Sequence, residues 1–193
     1  MRKYLAILLL LIAVPSYPWS LVGTVGAPAG GEVLQQSDTE LYEVNSIMGG
    51  DFADWYAATF VTGASGYSLT KVELYMRCNA SSAQVARVYI YTDNTGVPGT
   101  LVPNGTSNDL TANGGVLTSS YSYVPFTFSS PPVLSSGTTY WIIVYNVTNN
   151  HSYGMNIYRT NNSVEIIAAS SDGLSWAQLS TDVGTHTYKT YGY

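Results

Sequence analysis

From residue 51 to residue 193 the chain alternates apolar and polar side chains in short runs, separated by clusters of Gly, Asn, Asp and Pro. That period of two is the pattern of strands with one buried face. In Lys71-Val72-Glu73-Leu74-Tyr75-Met76-Arg77, Val72, Leu74 and Met76 fall on one face and Lys71, Glu73, Tyr75 and Arg77 on the other. Ala86 to Tyr91 repeats the scheme, with Val88 and Ile90 inward and Arg87, Tyr89 and Tyr91 outward. Val124, Phe126 and Phe128 mark another inward face. Tyr140 to Tyr145 is apolar on both faces and reads as a central strand covered on both sides. Met155 to Tyr158, Val164 to Ala168, Ser175 to Leu179 and Thr185 to Tyr191 predict further short strands. Asp93 to Gly99 reads as a turn, combining Asx chemistry, a permissive Gly96 and a φ-locked Pro98. Ser171-Asp172-Gly173 is similar. No sustained 3.6-residue period occurs beyond the N-terminal segment, so the pattern predicts an all-β domain of the sandwich or barrel type.

The first 29 residues follow another rule. Arg2 and Lys3 precede an apolar run from Leu5 to Val14, too short to span a bilayer core, which takes about 20 residues. Ala27-Pro28-Ala29 offers a small-residue cleavage site. Residues 1–29 therefore read as a secretory signal peptide. The alternative, an uncleaved N-terminal anchor from Tyr4 to Gly26, is interrupted by Pro15 and Pro18. Both place the bulk of the chain outside the cytoplasm, secreted or at the cell surface, with membrane contact only through this segment. Residues 30–50 carry little core-forming content before Leu41 and read as an arm or first edge strand, leaving 51–193 as the β-sandwich domain.

Charge narrows the choice of partner. Charged residues make up 10% of the chain, and the net charge of −5 argues against duplex nucleic acid, whose affinity comes from Lys and Arg on phosphates. Cys78 is the single cysteine, so no intrachain disulfide forms, and its place at the end of a strand pattern reads as a buried small hydrophobe.

Several segments in order, Phe60-Val61-Thr62-Gly63, Ser68 to Leu74, Tyr91 to Thr100 with its Pro98-Gly99-Thr100 turn, and Leu134 to Ile142 with Gly137-Thr138-Thr139-Tyr140-Trp141, are followed by Trp176 and a closing Tyr191-Gly192. This set resembles the choice-of-anchor R type domain of prokaryotic exported and surface proteins, over roughly residues 51–193. The resemblance implies a jelly-roll-like antiparallel β-sandwich on an exported protein. It brings no catalytic residues.

Catalytic candidates are sparse. His151 and His186 are the only histidines and lie on separate segments, too few for a structural zinc site or a Ser-His-Asp triad, and no nucleophile-elbow motif is present. His186, in the last strand pattern, is expected to be half exposed. Asp51 and Asp54 are the nearest approach to a hydrolytic carboxylate pair. Asp93 and Asn94, at a Gly-rich turn, are the candidate calcium ligands, with Asp172 and Asp182 behind them.

The binding candidates are Tyr75, Arg77, Arg87, Tyr89 and Tyr91. If their two strands pair, these side chains gather on one face, and Tyr and Arg serve both glycan stacking and protein contact. Asn79, Asn104, Asn146, Asn150 and Asn161 each begin an N-x-S/T sequon. Together these features predict a non-catalytic module at the cell surface that acts in adhesion, matrix formation or self-assembly into a homo-oligomer. Its partner is a protein or glycan, and the 30–50 arm acts as a donated strand. The alternative is a carbohydrate-binding module that uses surface tyrosines.

Overall fold

The computed structural model describes residues 31–38, 42–48, 54–78, 84–112, 117–148, 155–159, 167–178 and 186–193. The segment read as a signal peptide or anchor lies outside them, as do His151, Asp51 and Asp182. Fourteen strands are described: β1 (Val33–Asp38), β2 (Tyr42–Met48), β3 (Trp55–Val61), β4 (Tyr67–Cys78), β5 (Val85–Asp93), β6 (Pro98–Thr106) and β7 (Leu110–Thr111). They continue with β8 (Ser122–Thr127), β9 (Val133–Leu134), β10 (Thr139–Asn146), β11 (Met155–Arg159), β12 (Ile167–Ser170), β13 (Ala177–Gln178) and β14 (Tyr188–Gly192). The described residues contain no α-helix, and none is long and apolar enough to cross a membrane as one.

The strands form two antiparallel sheets. One is built around β4, in the order β1-β14-β4-β11-β2, with β8 and β9 also on β4. The other runs β13-β12-β3-β10-β5-β6, with β7 also on β5. Met76 of β4 is opposite both Ser122 of β8 and Ile157 of β11, so β8 and β11 occupy opposite edges of β4. The register of β14 with Leu69 to Leu74 overlaps that of β8, which puts β14 on the β11 edge. It follows that β1, on β14, and β2, on β11, are two successive segments of one outer edge.

Alternation decides what each sheet buries. Val72, Leu74 and Met76 of β4 and Val124 and Phe126 of β8 share one buried cluster with Val88 and Ile90 of β5, Ile142 and Val144 of β10, and Phe60 of β3. The two sheets thus close over a common core, a β-sandwich-like arrangement. Cys78 is a fully buried member of the same cluster. The strand that sequence marks as covered on both sides is β10. Its Tyr140, Ile142 and Val144 enter the main core, while Trp141 and Ile143 form a second cluster with Ala57 and Ala168 on the reverse face.

His186 corrects an expectation: it is fully buried rather than half exposed. Two strands escaped the alternation rule for opposite reasons. Trp55 to Val61 is largely apolar on both faces because β3 sends Tyr56 and Phe60 into the main core and Ala57 and Trp55 into the second cluster on the reverse face. Strand β6 contains Pro98 and Pro103, which are tolerated because it is the edge next to β5.

The shared core makes a paired test. Leu74→Ala is expected to lower the unfolding free energy by about 3 kcal/mol. Leu174→Ala, at a site 86% exposed, should change it by less than about 0.5 kcal/mol. Urea titration followed by tryptophan fluorescence reads both.

Candidate functional site

The five binding candidates do not form one patch. The expectation rested on β4 pairing with β5, and the structure puts these strands in different sheets. Val72, Leu74 and Met76 face Val88 and Ile90 across the core, so the alternate residues must face away from each other. Tyr75 and Arg77 lie on the outer face of the β4 sheet; Arg87, Tyr89 and Tyr91 lie on the outer face of the β10 sheet.

On the β4 sheet, outward residues of three neighbouring strands meet. Register sets Tyr75 opposite Tyr123, Glu73 opposite both Pro125 and Lys189, and Lys71 opposite Tyr191. Tyr75 packs against Tyr123 at 5.1 Å and stacks on Tyr121 at 5.7 Å between ring centroids. Every described cation on this face sits over a ring: Lys71 is 3.8 Å from the Tyr191 centroid, Lys189 is 3.7 Å from that of Tyr123, and Arg77 is 4.7 Å from that of Tyr121. Lys71 also bridges Glu32 and Glu73, each at 3.2 Å, and Tyr191 donates to Glu73 at 2.9 Å. Burial works against the charge on Lys71, but the hydrogen bonds it donates to Glu32 and Glu73, with their negative charges, outweigh it and raise its pKa. Burial, with smaller contributions from Tyr75 and the nearby acids, pushes the Tyr123 hydroxyl up.

The outer face of the β10 sheet carries a different aromatic row. Trp55 of β3 stacks on Tyr145 of β10 at 4.0 Å and on Tyr89 of β5 at 5.4 Å, and Tyr91 meets Tyr89 edge-on at 6.4 Å. Cross-strand register produces the row, because Tyr145 is opposite both Trp55 and Arg87. Arg87 makes a two-pronged ion pair with Asp109, 2.8 Å on the outer prong, and donates to the Tyr89 hydroxyl at 3.1 Å. Those bonds, Asp109 first, hold the guanidinium pKa above its usual value and that of Asp109 below.

The β12–β13 hairpin extends this face. Trp55, Tyr89, Tyr91 and Trp176 all pack against the small cluster around Trp141. Gln178 of β13 donates to the Gly96 carbonyl in the β5–β6 turn. The hairpin loop presses on Trp55 at Gly173, whose φ is +72° and where a Cβ would lie 2.8 Å from the indole. Sequence reading singled out Tyr89 and Tyr91 but missed Trp55, Tyr145 and Trp176. The first two sit in uniformly apolar runs, which look like core.

The calcium candidates have other partners. Asp93 accepts from the Trp141 indole N–H at 2.9 Å and from the Gly96 backbone N–H at 3.2 Å. The carboxylate therefore anchors the turn to a buried tryptophan. Asn94 closes the same turn through its backbone N–H to Val97. Asp172 accepts from the backbone N–H groups of Leu174 and Ser175 at 2.8 and 2.7 Å. Among the described residues no group of three or more His, Cys, Asp and Glu side chains is placed to hold a metal ion. Asp54, the described half of the carboxylate pair, is buried. No protein-family model matches the chain, and the search of curated proteins finds no match.

The hairpin loop yields a pH prediction. The backbone N–H groups of Ser175 and Leu174, with the Ser170 hydroxyl, hold the Asp172 carboxyl at about 2, below its ordinary 3.8. A depressed value stabilises the loop fully above the ordinary carboxylate range, and that contribution disappears as pH falls through about 2. Amide hydrogen exchange at Leu174 and Ser175, corrected for intrinsic rates, should lose its protection over this interval. Asp172→Asn should show no such step.

Proposed function

We propose that this chain is a non-catalytic β-sandwich module, exported or held at the cell surface, that works through its exterior in adhesion, matrix formation or self-assembly. In this reading it belongs with the jelly-roll-like modules of the choice-of-anchor R type. The passage of the chain back and forth between the sheets, from β3 to β4 to β5 and again from β9 to β10 to β11, supports the jelly-roll description.

The observation that carries the assembly reading is the attachment of residues 33–38 and 42–48. Strands β1 and β2 line one edge of the β4 sheet through main-chain ladders to β14 and β11. Exposed or partly exposed side-chain contacts add to the hold on β1: Glu32 to Lys71 and Thr70, and Gln35 to the Gly192 carbonyl at 3.1 Å. Val33 and Leu34 remain 43% and 48% exposed, so little core burial ties β1 down. A strand held mainly by backbone bonds makes the same bonds when it comes from another copy, which is the chemistry of strand donation. Deleting residues 30–48 from the exported chain should shift a sizing column from an assembly to a monomer; an unchanged size removes the assembly reading.

A second reading, a carbohydrate-binding module, is favoured by the Trp55–Tyr145–Tyr89 row beside Tyr91, since aromatic rows serve as sugar platforms. Two facts weigh on it. Trp55 is already stacked on Tyr145 and Tyr89, and Tyr121, Tyr123 and Tyr191 on the other sheet each have a cation over the ring. The glycan reading expects polysaccharide retention on a glycan array that falls at least tenfold in Tyr89→Ala plus Tyr91→Ala and holds in Tyr75→Ala. Absence of retention, or retention indifferent to the double change, removes it.

A further inference from the structure

Two sequons fall within the described residues with their side chains, and the fold treats them in opposite ways. Asn146 of Asn146-Val147-Thr148 is fully buried at the end of β10. Its side-chain carbonyl accepts from the Thr148 hydroxyl at 2.7 Å, and that hydroxyl also faces Gln84 Oε1 at 2.8 Å. Burial thus puts the Asn146 amide nitrogen out of reach of a glycosyl transferase, and the hydroxyl of the exposed Thr148 is turned back onto Asn146 and Gln84.

Asn104-Gly105-Thr106 lies on the sheet-edge strand β6, with Asn104 and Thr106 exposed. Register pairs Leu101 with Tyr91 and Thr106 with Tyr89. Two positions along β5 therefore answer to five along β6, and Val102 to Gly105 bulge out of the ladder. Asn104 sits in the left-handed region at φ +61°. Gly105 follows where a Cβ would lie 2.8 Å from the carbonyl oxygens of Ile90 and Val102. The bulge is thereby pinned by an obligatory glycine, and the asparagine is turned out of the ladder beside it. A transferase needs that presentation: an acceptor amide and a hydroxyl two residues on, both on a segment bent away from the sheet.

We infer that, of the two sequons in the described residues, Asn104 is the one at which the folded protein accepts an N-linked sugar, whereas the Asn146 sequon is closed by folding. In the transfer, Asn104 Nδ2 forms a bond to C1 of a sugar carried on a diphosphate donor. The C1–O bond to the diphosphate breaks, the diphosphate leaves with the electron pair, and the amide loses one proton to a base. A glycan there covers the outer edge of the β10 sheet beside Tyr89 and Tyr91, and leaves the β1–β2 edge free.

The test uses purified, folded protein, a sequon-specific N-glucosyltransferase that acts after folding, and UDP-glucose as donor, with site occupancy read by peptide mass spectrometry. One hexose on Asn104 and none on Asn146 is expected, with the Asn104 modification lost in Asn104→Gln. Urea-unfolded protein, returned to assay conditions and modified before it refolds, should acquire hexose on Asn146. An unmodified Asn104 in the folded protein, or hexose on Asn146 at comparable occupancy, overturns the inference.

Discussion

The exterior of this protein is dictated by the burial of alternate side chains of β4 and β5 in one shared core. Once Val72, Leu74 and Met76 are committed against Val88 and Ile90, the strand period of two leaves Tyr75 and Arg77 no place but one outer face, and Tyr89 and Tyr91 no place but the other. Removing the apolar set of either strand from water is worth several kcal/mol. No cation–π contact on the surface competes with that, since exposed pairs contribute about 0.5–1 kcal/mol. The core therefore chooses the faces, and surface chemistry settles on what each face receives.

The two faces then solve the problem of outward tyrosine differently. On the β4 sheet the scarce cations of an acidic chain are placed over rings, and Lys71 is shared between two glutamates. On the β10 sheet rings stack on rings, backed by the buried Trp141 whose indole N–H is held by Asp93. A turn that looks on paper like a cation-binding loop is better understood as a bracket: Asp93 fixes Trp141 and Gly96, and Gln178 ties the hairpin to the same turn.

Much of this was legible in the sequence, and what was not has a physical cause. The alternation in Lys71 to Arg77 and Ala86 to Tyr91 gives the inward and outward sets correctly, because that information is local. Tyr140 to Tyr145 reads correctly as a doubly covered strand for the same reason. The grouping of the outward residues was not legible, because it depends on partners far along the chain. Tyr75 meets Tyr123, and Trp55 meets Tyr145 and Tyr89. The segment β1 lacked a strong pattern because it lines an edge, where backbone bonds to β14 do more than the burial of its partly exposed side chains. His186 was misjudged because polar neighbours in sequence suggest exposure, whereas the adjoining Thr187 is itself fully buried.

Hydroxyl-radical footprinting of the tyrosines tests the central division between core and exterior most directly. The account predicts protection of Tyr56, Tyr67, Tyr140 and Tyr188, all buried, against ready oxidation of Tyr75, Tyr89, Tyr123 and Tyr191. Comparable oxidation of the two sets, or protection of Tyr75 and Tyr89 alongside reactive Tyr56 and Tyr188, would contradict it.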